Sequence, residues 1–590
     1  MNATFRIRHR FERRILLFRG LIFLFLFLLF IRLVNLQWVQ HEGLLLQAEQ
    51  NRISIVPLLP TRGEIVDHDG RGLAVNHVSY QIQLIPERVA DMKQTLRRLT
   101  HWLHWDAARL HEVKQRIAHS RPDHPVLLDD QLPWRQVAPI AARLHELAGV
   151  DVQAGTHRYY PYGALTSHLV GYLSMAGPED VRKGILPMEK VGRAGAEKVF
   201  ESELHGRLGN QREEVDARGR RVGVLQRQPP VMGKQLRLSL DVDLQRAASK
   251  ALGHRTGAVV VMDVHTGEVL VLLSKPGFNT NLFITGLEAK QWKKWLNNPH
   301  RPLLDRATQA SYPPGSTFKP LVALAGLRDQ APIIAHGTTC RGYIELADRK
   351  LRCWKKIGHG HVDLHKAIVQ SCDVYFYELG DELGIKQLRA EAELWGFGKP
   401  TGIALSPEAK GLAPGQSWSF RRSRTWFRGQ TMISAIGQGS VNATPIQMAR
   451  FTAAIANGGL LLHPQLKAGA TPEVDRKIDV DAKNLDRVRK AMHGVVTEIH
   501  GTAHAHLWRL PWDMAGKTGT AQVVSMPQDG SESNSSDKHK DHAWFIGYAP
   551  YKAPQIAVAV LVEHGGHGGS AAAPVAAAIV RTLAQKEKQG

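Results

Sequence analysis

One segment of the chain is apolar on every face. Residues 15–36 read ILLFRGLIFLFLFLLFIRLVNL, with an uninterrupted apolar run from Gly20 to Ile31. That run is too short to cross a bilayer by itself, but with Arg19 and Arg32 as snorkelling ends the 22-residue span is long enough. A stretch apolar all round does not suit a soluble surface helix. No small-x-small cleavage site follows, where RLVNLQW stands. The pattern predicts one uncleaved anchor over 15–36. Arg6, Arg8, Arg10, Arg13 and Arg14 precede it, so 1–14 is expected to be a cytoplasmic tail and the rest to be exported.

After the anchor the pattern changes twice. Over 37–235, short alternating runs are interleaved with charged helical patterns, including an Arg/His-rich helical insert near 90–148. Landmarks are the RGEIVD segment 62–67, HRYYPYGALTSHLVGYL at 157–173 and GRAGAEKVFESELHGRLG at 192–209. None pairs a nucleophile with a base, so this stretch reads as a spacer or docking module. From 236 to 590 the elements are more regular. QLRLSLDVDLQRAASKAL joins a strand to a helix, and GAVVVMDVHTGEVLVLL (257–273) reads as a hairpin around His265-Thr266-Gly267. AWFIGYAP (543–550) and QIAVAVLVEHG (555–565) are two further strands before a final Ala-rich helix. Strands at both ends with helices between predict one α/β domain whose sheet joins its own termini. Gln528–Asp541, rich in Ser, Asp and Lys, reads as a mobile loop.

Composition narrows the class. At 590 residues and 43% hydrophobic, the chain is too long for one small fold and too ordinary for a disordered or polytopic membrane protein. The formal charge is +22; seven Arg against one Glu in the first 36 residues account for +6, leaving +16. Those remaining basic residues are scattered and form no nucleic-acid module, so nucleic acid is not expected as a partner. A basic surface facing anionic envelope polymers or lipid fits better. Three Cys are too few for a disulfide-built scaffold.

Three short motifs carry chemistry. Pro313-Pro314-Gly315-Ser316-Thr317-Phe318-Lys319 places a break before Ser316 and an apolar LVALAGL run after it, so Ser316 opens a helix with Lys319 one turn on. A serine hydroxyl needs an adjacent base, and a lysine whose pKa is depressed can serve. Ser371-Cys372-Asp373 falls inside a predicted helical stretch, KAIVQSCDVYFYELG. Lys517-Thr518-Gly519-Thr520 falls on a strand pattern; Lys517 and Thr518 suit a carboxylate, and Gly519 is expected to let a substrate backbone approach. Gly437-Gln438-Gly439 and Gly565–Gly569 read as turns, and Trp544 and Phe545 as core.

In the order S-x-x-K, S-x-D, K-T-G, the three motifs resemble those of the class B penicillin-binding proteins, peptidoglycan D,D-transpeptidases. The resemblance extends to the anchor, RGEIVD, GRAGAEK, ISAIGQGSVNATPIQMARFTAAIANGG (433–459) and DHAWFIGYAP. Asp373, where many relatives carry Asn, and the RCWKKIGHGHVDLHKA segment (352–367) resemble the elongation branch of that family. The resemblance implies a β-lactamase-like transpeptidase domain (236–590), an antiparallel sheet flanked by helices, on an α+β pedestal (37–235). It implies that Ser316 attacks the D-Ala–D-Ala carbonyl of a stem pentapeptide and that Lys319 takes its proton. Ser371 and Lys517 would relay that proton to the leaving D-alanine, with Asp373 holding the network. Lys517, Thr518 and Thr520 would bind the substrate carboxylate, and the N–H groups of Ser316 and Thr520 would form the oxyanion hole. β-Lactams would acylate the same serine. Implied partners are a membrane glycosyltransferase of the shape, elongation, division and sporulation type and a rod-shape scaffold on the pedestal. The implied place is the bacterial inner membrane, with the catalytic domain periplasmic. A division-specific class B enzyme, a β-lactam hydrolase and a β-lactam sensor are the alternatives.

The cysteines cluster. Cys340, Cys353 and Cys372 fall within 33 residues, with His359, His361 and His365 among them. The order C-x12-C-x5-H-x12-C through Cys340, Cys353, His359 and Cys372 supplies four ligands for a structural zinc. The alternative is a Cys340–Cys353 disulfide with Cys372 free.

Overall fold

The computed structural model describes residues 3–122, 125–187, 189–215, 221–347, 349–415, 426–522 and 540–589. Most of the Gln528–Asp541 loop therefore lies outside the described residues. Segments distant in sequence gather into two compact units. One comprises Met1–Thr61, Val78–Thr156 and Gly206–Met232; the other comprises Arg62–His77, His157–His205 and Gly233–Gly590. The chain passes between them five times, last at 232/233, where a single cut near 235 was expected.

In the first unit a helix over Ala3–Val34 runs into a π-helical turn, Asn35–Val39. Its apolar side chains from Leu16 to Leu33 are exposed. Among the described residues this is the one helix long and apolar enough to cross a membrane, over Glu12–Val39. The expected helical insert contains helices Met92–Leu103, Ala107–His119 and Trp134–Ala141, the first two capped by Asp91 and Asp106. It also contains a strand that helical patterning hides, Val126–Leu132, paired antiparallel as Ile82↔Asp129 and Leu84↔Val126. That pairing buries Val126 and Leu128 with Ile82, Leu99, Val113 and Val137 in a small core.

The second unit is built on helix α1 (Val242–Leu252), strands β1 (Gly257–Asp263) and β2 (Val269–Lys275), helices α2 (Lys319–Arg328), α3 (Leu364–Val369), α4 (Asp373–Leu394) and α5 (Pro445–Asn457), strands β3 (Ala515–Ala521), β4 (His542–Ala549) and β5 (Ile556–Val562), and helix α6 (Ala573–Gln589). The sheet order is β2-β1-β5-β4-β3, antiparallel throughout. The register Val259↔Val560 joins the two ends of the domain. Every residue of β5 is buried, which requires cover on both faces of the sheet. Helices α1, α5 and α6 supply it. Strand β3 has a neighbour on one side only, so its other edge is open to the elements that carry the motifs.

Candidate active site

Three pieces of backbone converge at the open edge of β3. The first is the turn before α2. Gly315 adopts φ +55°, and its N–H donates to Gly437 O at 2.9 Å. A Cβ on Gly315 would lie 2.5 Å from Thr520 O, so only glycine lets this turn meet the strand. Residues Gly315–Phe318 form a 3-10 turn, and Lys319 begins α2. Ser316 is half-buried, whereas Lys319 is fully buried. Trp544 is core, as expected, and its indole N–H also braces the turn by donating to Pro313 O at 3.0 Å.

The second piece corrects the sequence reading. Ser371 and Cys372 do not lie within a helix: α3 ends at Val369, Ser371 has φ +54°, and α4 starts at Asp373. A non-glycine residue in this region is strained unless its surroundings hold it. Here they do. Lys319 Nζ donates to Ser371 O at 2.9 Å, a carbonyl that a continuous helix would have engaged.

The third piece is β3. Lys517 is fully buried, with Nζ 2.9 Å from Ser371 Oγ and 2.9 Å from Thr518 O. It points into the network and gives the strand surface no exposed cation. Gly519 is also used differently from the expectation. A Cβ there would meet Thr317 Cγ2 at 2.8 Å and Pro314 O at 3.0 Å, so its bareness serves packing against the Ser316 turn. Thr518 Oγ1 lies 2.6 Å from Thr502 Oγ1. Thr520 O accepts from Gln438 Nε2 at 3.1 Å. In an extended strand the N–H and C=O of one residue face the same side. The Thr520 N–H therefore faces the open edge, toward the Ser316 turn.

The side chains form one chain of contacts. Lys319 Nζ is 2.7 Å from Asp373 Oδ1 and 3.2 Å from Ser371 Oγ, and Ser371 Oγ continues to Lys517 Nζ. Ser316 Oγ has no hydrogen bond among the described residues. Lys517 has no carboxylate within ion-pair distance there either. Burial and the neighbouring Lys319 cation push its pKa well below that of an ordinary lysine. Burial raises the pKa of Asp373, and Lys319 opposes that rise.

Behind the 371–373 turn, Cys340, Cys353, His359 and Cys372 bring their ligand atoms within 4.8 Å of one another, all buried. His359 Nδ1 is 3.6 Å from both Cys340 Sγ and Cys353 Sγ. Tetrahedral zinc with Zn–S of about 2.3 Å and Zn–N of about 2.0 Å sets that edge at about 3.5 Å. The donor set and its spacing fit such an ion. The three thiols are free, in place of the alternative disulfide. His361 and His365 stand outside the group, His365 bonding to Glu498 at 2.6 Å. The group also holds the turn: Asp373 N donates to Cys353 Sγ at 3.4 Å.

Sequence reasoning missed Thr502, the bracing role of Gln438, and Trp354, whose backbone N–H donates to Asp373 Oδ2 at 3.0 Å. It also missed a trio beside the Ser316 turn, in which Tyr312 OH donates to Glu563 Oε1 at 2.6 Å and Arg306 Nε to the same oxygen at 2.9 Å. These contacts join residues far apart in the chain, where spacing carries no signal.

Comparison with known proteins places this geometry. The model described as the penicillin binding protein transpeptidase domain matches residues 257–581, and that of the penicillin-binding protein dimerisation domain matches 57–238. The chain is 34% identical over 591 residues to the peptidoglycan D,D-transpeptidase MrdA of Salmonella typhimurium, covering 96% of this chain and 94% of the relative. Its fold is similar to that of a penicillin-binding protein, PBP2, solved in complex with MreC from Helicobacter pylori: TM-score 0.81, 31% identity, 91% of this chain and 99% of that one. It is also similar to a chain from a structure described as the coordination of polymerization and crosslinking by a peptidoglycan synthase complex, with TM-score 0.72, 29% identity, 98% of this chain and 99% of that one.

Proposed function

The chain belongs to the penicillin-binding protein transpeptidase family, and from that premise we propose how its own residues divide the reaction. It is a peptidoglycan D,D-transpeptidase of the elongation type, an acyl-transfer enzyme. Ser316 Oγ attacks the carbonyl of the D-Ala–D-Ala bond of a stem pentapeptide. The N–H groups of Ser316 and Thr520 hold the developing oxyanion. The terminal carboxylate binds along the β3 edge at Thr518 and Thr520. Lys319, the cation paired with Asp373, passes one proton through Ser371 to Lys517, whose pKa is depressed, and with the lone pair so freed takes the proton of Ser316. That proton returns by the same path to the departing D-alanine nitrogen as the peptide bond breaks. The amine of a second stem peptide then attacks the acyl-enzyme; its proton goes back to Ser316 and the cross-link forms. Asp373 fixes Lys319. A penicillin enters the same path and stops at the acyl-enzyme.

The observation that carries this assignment is the unbroken path from Lys319 Nζ through Ser371 Oγ to Lys517 Nζ. Intact-protein mass spectrometry with a penicillin tests it. Wild type is expected to gain one drug mass, mapped to the peptide containing Ser316, and Ser316→Ala none. An adduct elsewhere, or one on Ser316→Ala, would refute the assignment.

The Cys340, Cys353, His359 and Cys372 group is assigned a structural zinc. Four protein ligands leave no open position for water, and the ion would tie the 371–373 turn to the segment 340–359. The N-terminal helix anchors the chain in the inner membrane with 1–14 in the cytoplasm and the catalytic unit in the periplasm, a direction supported by the arginines before it. A membrane glycosyltransferase and a rod-shape scaffold are the proposed partners, supported by the assemblies in which the similar proteins were solved.

A further inference from the structure

The loop between Cys353 and His359 presents an exposed tryptophan beside the catalytic turn. Trp354 is 55% exposed, although both flanking cluster residues are buried. An exposed indole is ordinarily free to reorient, but this one is held at two points. Its backbone N–H is bound to Asp373, and its ring N–H donates to Gln370 O at 3.0 Å, the residue before Ser371. The ring also meets His359 edge-on, with centroids 5.6 Å apart. The polar edge of the indole is thus turned onto the catalytic turn, and its apolar surface is left to solvent. Lys355, Lys356 and the exposed Ile357 follow, so the rim is both apolar and basic.

A flat, rigid aromatic next to positive charge matches one part of the substrate. The pyranose rings of a glycan strand present a face of C–H bonds that packs on an aromatic ring, and tryptophan offers the largest such ring. The stem peptides on that strand carry carboxylates that complement Lys355. A ring already locked in place loses little conformational freedom on binding. We propose that Trp354 is a substrate-positioning residue that stacks on a sugar ring of the glycan strand bearing the stem peptide, with Lys355 meeting that strand's carboxylates. This rests on the transpeptidase reading and names the part of the substrate that the loop recognises.

The test uses the full chain and three acyl donors: a disaccharide-linked pentapeptide, the same pentapeptide without sugar, and a penicillin. Exchange of the terminal D-alanine for a labelled D-amino acid reads the first two; adduct mass reads the third. Trp354→Ala is expected to raise KM for the disaccharide donor about tenfold with kcat within about threefold. KM for the bare pentapeptide and the penicillin acylation rate should each stay within about threefold. Trp354→Phe, which keeps a ring but loses the N–H, should recover part of the KM. An unchanged KM for the disaccharide donor would overturn the proposal. So would an equal loss on all three donors, because the indole would then only brace the Ser371 turn. Failure of wild type to form the penicillin adduct would instead overturn the transpeptidase reading on which this one stands.

Discussion

Two buried ionic clusters lie in the same compact unit and have opposite consequences. Around Glu197, two arginines face two carboxylates. Arg158 Nε is 2.8 Å from Glu197 Oε1, Arg62 Nε is 2.8 Å from Oε2, and Arg62 Nη2 is 2.6 Å from Glu201 Oε2. Tyr160 OH donates to Glu197 and Asn76 Oδ1 accepts from Arg158, so the cluster is charge-balanced, with Arg158 Nη2 left without a hydrogen bond among the described residues. It ties the Ile65–Val66 strand region to the Gly195–Val199 helix. Around Ser371, two lysines face one carboxylate. The surplus amine, Lys517, is held by a hydroxyl and a carbonyl and is pushed toward its neutral form. Balance makes a buried charge cluster structural; a missing counter-charge leaves a base in place, at the expense of stability.

The sharpest way to break this contrast is to remove one member from each cluster. Lys517→Met should slow penicillin acylation by about 10²–10⁴-fold, the range of a lost acid–base group. Its effect on stability should be small or favourable. A lysine whose pKa is depressed by folding binds its proton less well in the folded than in the unfolded chain, and methionine removes that penalty. Thermal unfolding alongside adduct kinetics checks both halves. Glu197→Gln should do the reverse. Leaving two buried arginines short of a partner costs about 3–5 kcal/mol. Denaturant unfolding should show the loss, while the acylation rate of the folded protein stays within about threefold.

The Cys/His group sits between these cases. Chelation of the full chain should release about one equivalent of zinc, lower the melting temperature and slow acylation about tenfold or more, because the ion would hold the turn carrying Ser371. Elemental analysis with adduct kinetics reads all three. Metal-free protein with full activity would contradict the zinc assignment.

The smallest expected effect concerns His542. Its ring is surrounded by His564 at 4.8 Å and Tyr312 at 5.4 Å, with Glu563 nearby. Burial, then the His564 neighbour, lowers its pKa from 6.5 to about 4. The unfolded chain takes up that proton near pH 6.5 and the folded chain only near 4, so stability should fall as pH drops through that window. The loss is at most about 3 kcal/mol, and His542→Gln should flatten it in unfolding curves recorded between pH 7 and 4.

The sequence made legible whatever is local. The hairpin about His265, the C-terminal strands and the Ser316 turn all carry periodicity or breakers within a few residues. Spacing alone also picked out Cys340, Cys353, His359 and Cys372 as one group. What it could not show depends on distant partners. Ser371 looks helical because its neighbours are helix formers; the break exists because Lys319, 52 residues earlier, takes its carbonyl. Gly519 looks like a substrate approach until Thr317 is found against it. Val126–Leu132 reads as part of a helical insert until its partner strand over Gly72–Leu84 is placed beside it.

Burial and the Lys319 cation push the surplus lysine of the Ser371 cluster toward its neutral form, ready to accept a proton. The pH dependence of the penicillin acylation rate constant tests it most directly. A depressed Lys517 gives a rise that is complete well below an ordinary lysine pKa of about 10.4, and Lys517→Met loses that titration. A wild-type rate still climbing through about pH 10, or the same profile in Lys517→Met, would contradict it.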